Sequence, residues 1–187
     1  MRKIVCLWGG PGTGKSTTCA GIFNLLKKKG YNCEMNREYV KEWVWEGREI
    51  KEGDQSYIFS KQARKERQYI KEGLDFIISD SPMALSIYYG DKYDKYEKGF
   101  GACRVLLKQH HQFCKDNNYK VEHIFLVRQK EYNPSGRLQT EEEAKQFDIE
   151  IKDFMDSINI NYKIIECGEM VEKHIVDILE EKNESKN

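Results

Sequence analysis

Eight residues near the amino terminus, Gly9-Gly10-Pro11-Gly12-Thr13-Gly14-Lys15-Ser16, restrict this chain more than anything else in it. They satisfy the pattern G-x-x-x-x-G-K-[ST] and stand where that pattern has a physical meaning. An apolar run over residues 4–8 precedes them, and a stretch with helical periodicity follows. Glycines accept φ > 0 and present no side chain, so successive backbone N–H groups can curl toward a common point. The first turn of the following helix adds unpaired N–H groups and the positive end of its dipole. Such a strand–loop–helix unit is a cradle for phosphate.

The residue types on the loop then divide the work. Lys15 is placed to neutralise β- and γ-phosphates, and the Ser16 hydroxyl to ligate Mg²⁺. Gly9, Gly10, Pro11, Gly12, Thr13, Gly14, Lys15, Ser16 and Thr17 are accordingly expected to bind ATP. Net charge is zero, yet residues 1–72 carry 15 Lys+Arg against 9 Asp+Glu and the remainder carries the reverse excess. The basic half is the one holding the loop, which suits an anionic ligand.

The rest of the chain alternates strand and helix patterns. Strands are expected at residues 4–8, 32–36, 76–79, 123–127 and 162–166. Helices are expected at 16–29, 38–46, 54–71, 82–89, 103–116, 140–157 and 170–179, with Asp54 as one N-cap and Thr140 and Glu143 as a capping box. This order predicts an α/β fold: a five-stranded parallel sheet with helices on both faces and the ligand site at the carboxyl ends of the strands. A single domain over residues 1–180 is expected, with a lid near 131–140 and a frayed tail at 181–187. No apolar run reaches the ~18 residues of a membrane span, and the six cysteines form no C-x-x-C pair. Free thiols in a cytoplasmic protein are expected.

Two acids fall at expected strand ends. Asp80 follows Phe76-Ile77-Ile78-Ser79, where it is either a Mg²⁺-shell acid or proton acceptor, or the cap of a helix entered through Pro82. Glu38 follows the second strand. It is either the base for an attacking hydroxyl or an acid favoured by a helix's first turn. Arg137, in the polar loop Asn133-Pro134-Ser135-Gly136-Arg137-Leu138-Gln139, is positioned to swing over a transferring phosphoryl group. Arg128 is either a second clamp or a solvated arginine. Arg37 is a candidate for an acceptor phosphate. Aromatic residues Tyr39, Trp43, Trp45 and Tyr57 alternate with cations between the second and third strands, offering faces for a base, with Gln62 as an edge-reading amide. Tyr88-Tyr89 and Tyr93 look like part of a polar surface loop.

The phosphate loop, Arg37-Glu38-Tyr39-Val40, the Asp80 strand end and Gly136-Arg137 together resemble the nicotinamide riboside kinase domain of bifunctional NAD-biosynthesis proteins. They also resemble small P-loop kinases common in phage genomes. The resemblance implies the P-loop kinase fold and ATP-dependent transfer to a hydroxyl of a nucleoside, nucleotide or nucleoside-like acceptor. The residues themselves make Arg37, Tyr39, Trp43, Gln62 and Arg128 the candidates for holding the acceptor. Ser81-Pro82-Met83 departs from the Asp-Arg of deoxynucleoside and thymidylate kinases. Phage relatives that phosphorylate hydroxymethylated pyrimidines supply a second expectation, 5-hydroxymethyluracil in DNA. A regulatory NTPase without an acceptor is the third.

Overall fold

A computed structural model describes residues 2–93, 101–129 and 140–184, with side chains described through residue 180. Five strands form one sheet: β1 (Arg2–Trp8), β2 (Cys33–Asn36), β3 (Phe76–Ser79), β4 (Tyr119–Val127) and β5 (Tyr162–Glu166). Their order is β2-β3-β1-β4-β5, and every pairing is parallel. Parallel strands need helical crossovers, which cover both faces and bury the sheet. The helices are α1 (Lys15–Lys28), α2 (Val40–Trp45), α3 (Asp54–Lys71), α4 (Ala84–Tyr93), α5 (Gly101–Asp116), α6 (Glu141–Ser157) and α7 (Val171–Glu184).

The central strand shows how sequence alternation builds two cores. Ile4, Cys6 and Trp8 of β1 point to a core shared with α3, α4, α5 and α6 through Phe59, Leu85, Leu107 and Phe147. Val5 and Leu7 point to the other core, closed by Ile22 and Leu26 of α1 and Ile175 and Leu179 of α7. Period-two geometry sends neighbours to opposite faces, so a strand buried on both sides reads as a continuous apolar run. The chain leaves β1 toward β2, then returns to place β3 beside β1 and β4 on the other side. The loop after β1 therefore sits where connections diverge, and such crevices hold ligands.

Local signals behave as their chemistry requires. Gly30 (φ +88°) ends α1, with Lys29 N–H donating to Leu25 O, Gly30 N–H to Lys27 O and Tyr31 N–H to Leu26 O. Left-handed backbone after a helix favours glycine. The capping box on α6 is complete: Glu143 N–H donates to Thr140 Oγ1 (3.2 Å) and Thr140 N–H to Glu143 Oε2 (2.7 Å). Three expectations are corrected. Asp54 is the first residue of α3 rather than its cap; Gly53 (φ +82°) takes that place, and Asp54 accepts from Lys51 N–H. β4 begins at Tyr119, four residues early, because it pairs with β1 from Arg2 onward. Tyr88 and Tyr89 belong to α4, as the helix expected over 82–89 has it, and not to a surface loop; Tyr88 is buried in the core. The lid loop, including Arg137, lies outside the described residues. No described helix is long and apolar enough to cross a membrane.

Candidate active site

The phosphate loop needs glycine at particular points. Gly9, Gly12 and Gly14 have φ of +140°, +83° and +94°. Gly10 needs it for space: a Cβ there would lie 2.6 Å from Asp148 Oδ1 and 2.8 Å from Ala144 O. A Cβ on Gly14 would meet Cys167 Sγ at 2.9 Å. The loop is thus pressed between α6 on one side and the segment after β5 on the other. Thr13, which is buried, donates from Oγ1 to Gly10 O (3.1 Å) and stiffens the turn. Ser16 and Thr17 are exposed in the first turn of α1.

Lys15 folds over its own loop, donating from Nζ to Gly9 O (2.7 Å) and Gly10 O (2.8 Å). Burial lowers its proton affinity; Glu38, Asp148 and Asp80 pull it back up, and Arg128 lowers it again. One ammonium therefore feels three carboxylates delivered by three different elements. Asp80 follows β3 directly and is buried. Its Oδ1 accepts from Glu38 backbone N–H at 2.8 Å. That bond ties the end of β2 to the end of β3. The first bonds around α4 run instead from Leu85 N–H to Pro82 O and from Ser86 N–H to Met83 O.

Glu38 precedes α2 and lies outside its first turn. It is half-buried, and burial raises its proton affinity; Lys15 opposes that shift and Asp80 reinforces it. A carboxyl between an ammonium and a second carboxylate has its proton affinity set by both neighbours as well as by burial. Tyr89 of α4 stands close enough for the Glu38 charge to add to the upward shift that burial imposes on its phenol. Beneath these acids, Asn36 Oδ1 and Ser79 Oγ are buried without hydrogen-bond partners. Asn36 and Ser79 are register partners across β2 and β3.

The remaining sequence candidates divide. Tyr39, Trp43 and Tyr57 cluster at 5.8 Å between ring centroids, with Trp43 and Tyr57 stacked at 21°. Arg48 caps the Trp43 ring at 3.5 Å and Lys61 lies 5.2 Å from the Tyr57 ring. Arg37 is exposed next to Glu38. Gln62 is buried and donates from Nε2 to Ser81 O (2.9 Å), so it braces the residue after Asp80. Arg128 stands against the phosphate loop instead of the aromatic cluster. It donates from Nη2 to Pro11 O (2.8 Å) and pairs with Asp148 (3.3 Å). Its position follows from β4 lying beside β1, which brings the end of β4 next to the loop.

Asp148 was not singled out from the sequence. Its Oδ1 accepts from Gly10 N–H at 2.6 Å. The available signal was its spacing, four residues after Ala144 on a helix whose Ala144 and Ile151 are core positions.

The loop, the parallel sheet and the crossovers define a P-loop kinase-like α/β protein of the nucleotide-binding class. A family model described as an AAA domain matches residues 4–173, and the chain belongs to that family. The fold is similar to a NadR protein solved in complex with NR, at a TM-score of 0.69 and 15% identity, covering 99% of this chain and 52% of that one. It is also similar to APE1195, at a TM-score of 0.51 and 17% identity, covering 97% of this chain and 94% of that one. Over 43 residues the chain is 46% identical to a Thermoplasma volcanium protein provisionally named adenylate kinase, a stretch that is 23% of this chain and 26% of that protein. The chain thus spans about half of the NadR structure and about a quarter of the Thermoplasma volcanium protein.

Proposed function

We propose that this protein transfers the γ-phosphoryl group of ATP to a hydroxyl of a nucleoside-like small molecule. The observation that carries the reading is the convergence of Lys15, Glu38 and Asp80, with Asp80 fixed by the Glu38 backbone. Lys15 would leave the Gly9 and Gly10 carbonyls to bind β- and γ-phosphate oxygens, which concentrate charge as the bond to the leaving group breaks. Glu38 would accept the proton of the attacking hydroxyl. Asp80 and the Ser16 hydroxyl are hard oxygen donors at one edge of a glycine cradle, a set suited to Mg²⁺. The bound ion would offset phosphate charge. Arg137 remains the candidate for a closing arginine.

Tyr39, next to Glu38 in the chain, and Tyr57, both braced by the buried Trp43, supply the faces on which a flat ring of the acceptor would stack. One feature supports the alternative acceptor, a hydroxymethylated pyrimidine in DNA: Trp45 is 80% exposed beside the cation-lined cluster, as on a strand-binding rim. The test is transfer of label from γ-labelled ATP to a panel of nucleosides, nucleotides, nicotinamide riboside and 5-hydroxymethyluracil-containing DNA. Label is expected in a small nucleoside-like acceptor and is expected to vanish in Lys15→Ala. Hydrolysis of ATP with no labelled acceptor would replace this reading with a regulatory NTPase.

A further inference from the structure

Away from the phosphate loop, three side chains of different donor types meet inside the core between α3 and α5. Glu66, His110 and Cys114 are 4%, 2% and 1% exposed, and one ligand atom from each lies within 4.8 Å of the others. His110 and Cys114 share a helix face at i, i+4 spacing, while Glu66 reaches across from α3. Glu66 Oε1 and His110 Nε2 are 2.7 Å apart, and Asn36 Nδ2 donates to Glu66 Oε2 at 3.3 Å. His110 Nδ1 is buried with no hydrogen-bond partner. A fully buried carboxylate beside an imidazole with an unsatisfied nitrogen is costly in an apolar core.

We propose that Glu66, His110 and Cys114 bind a zinc-type dication that ties α3 to α5. Carboxylate, neutral imidazole and thiolate are zinc donors. One carboxylate and one thiolate cancel the two positive charges, so the buried set becomes neutral. Binding would break the Cys114 S–H bond, form a metal–sulfur bond and release the proton to solvent. The cluster needs contraction, since donors on a tetrahedral ion at 2.0–2.3 Å lie roughly 3.3–3.8 Å apart.

Two further features fit. A cavity of about 20 Å³ borders Glu66, the one donor of the three that lines it, and has room for one water. A water would complete the tetrahedron. A second cavity of about 1030 Å³, lined by Arg2, Asp75, His111 and Cys114, opens at the amino-terminal ends of the strands and supplies an entry path. It faces away from the phosphate loop, so the site is separate from any Mg²⁺ that accompanies ATP. Asn36, which precedes Arg37 and Glu38, serves as the outer hydrogen-bond partner that orients Glu66.

The experiment loads the full-length protein with Zn²⁺ or Co²⁺, passes it through a desalting column and reads bound metal by mass spectrometry. One zinc per chain is expected. The cobalt form should show tetrahedral visible bands and a thiolate-to-cobalt charge-transfer band. Cys114→Ser should abolish the charge-transfer band. His110→Gln should reduce retained metal at least tenfold. Cys33→Ser, in the core on the other face of the sheet, should leave both unchanged. Zinc at about 100 times its Kd should raise the wild-type Tm by roughly 5–10 °C. Where Cys114→Ser does not fold, X-ray absorption on the wild-type zinc protein decides, with at least one sulfur in the ligand shell expected. No retained metal, an all-oxygen shell, or a charge-transfer band that survives intact in folded Cys114→Ser would overturn the site.

Discussion

Burial raises the affinity of Glu38 for its proton, and that shift acts on stability and on rate in opposite ways. Because the folded-state value is raised, the group's contribution to stability is full below its ordinary value and is lost as pH climbs through the folded value. Above its folded value the wild type carries the cost of an ionised, half-buried carboxyl. Glu38→Gln removes it, so a higher Tm than wild type is expected at alkaline pH. The gain should disappear at pH values where wild-type Glu38 is protonated. Turnover should fall by about 10²-fold or more in the same variant, as expected for loss of a general base. Melting curves across pH and initial rates on one preparation separate the two effects. Equal Tm at all pH values would mean that burial of Glu38 has no energetic consequence.

Asp80→Asn tests a different function of the same site. The amide oxygen can still accept from Glu38 N–H, so the β2–β3 tie should survive and the fold with it. Only the charge is lost. We expect turnover to fall on the order of 10²-fold with a smaller change in ATP affinity, because an acid serving metal or proton acts most on the transition state. Steady-state rates with varied ATP resolve kcat from KM. An unchanged kcat would remove Asp80 from the chemistry.

At the scale of elements, the position of α6 against the loop is the feature most exposed to perturbation. Gly10→Ala places a methyl against Ala144 O and Asp148 Oδ1, and a backbone carbonyl cannot rotate away. Either α6 retreats or the loop opens, so nucleotide affinity should fall at least tenfold in a titration calorimetry measurement. Gly47→Ala is a useful contrast: φ there is +67° but nothing lies within 4 Å of the added atom, so it should cost stability while leaving nucleotide affinity unchanged. The sequence made the α6 capping box readable because both partners are three residues apart. It made β1 and β3 readable because burial on both faces leaves continuous apolar runs. It hid the start of β4, where Lys120 and Glu122 interrupt the apolar pattern on a half-buried stretch. It also hid Asp148, since a single acid on an amphipathic helix looks solvated until the loop it touches is known.

Across the whole molecule, what the sequence left open was the pairing of distant segments. Local pattern predicts five strands; it does not order them, and the order is what brings Glu38, Asp80 and Arg128 to one loop. The same is true of the cations. Lys61, Arg64 and Lys65 share a helical face by spacing, but the structure puts Lys61 over Tyr39 and Tyr57 while Arg64 and Lys65 are exposed. A polymer acceptor crossing this face would release counterions, and its affinity would fall steeply with salt. A nucleoside-sized acceptor engages few or no backbone phosphates and shows a shallow slope. We therefore expect weak DNA binding that is lost between 50 and 200 mM salt, with acceptor turnover that changes less than about threefold over the same range. Arg64→Glu combined with Lys65→Glu should abolish the residual DNA binding and leave phosphotransfer to the small acceptor intact. Tight binding to hydroxymethyluracil DNA, lost in that double variant together with label entering the DNA, would reverse the ranking of the two acceptors.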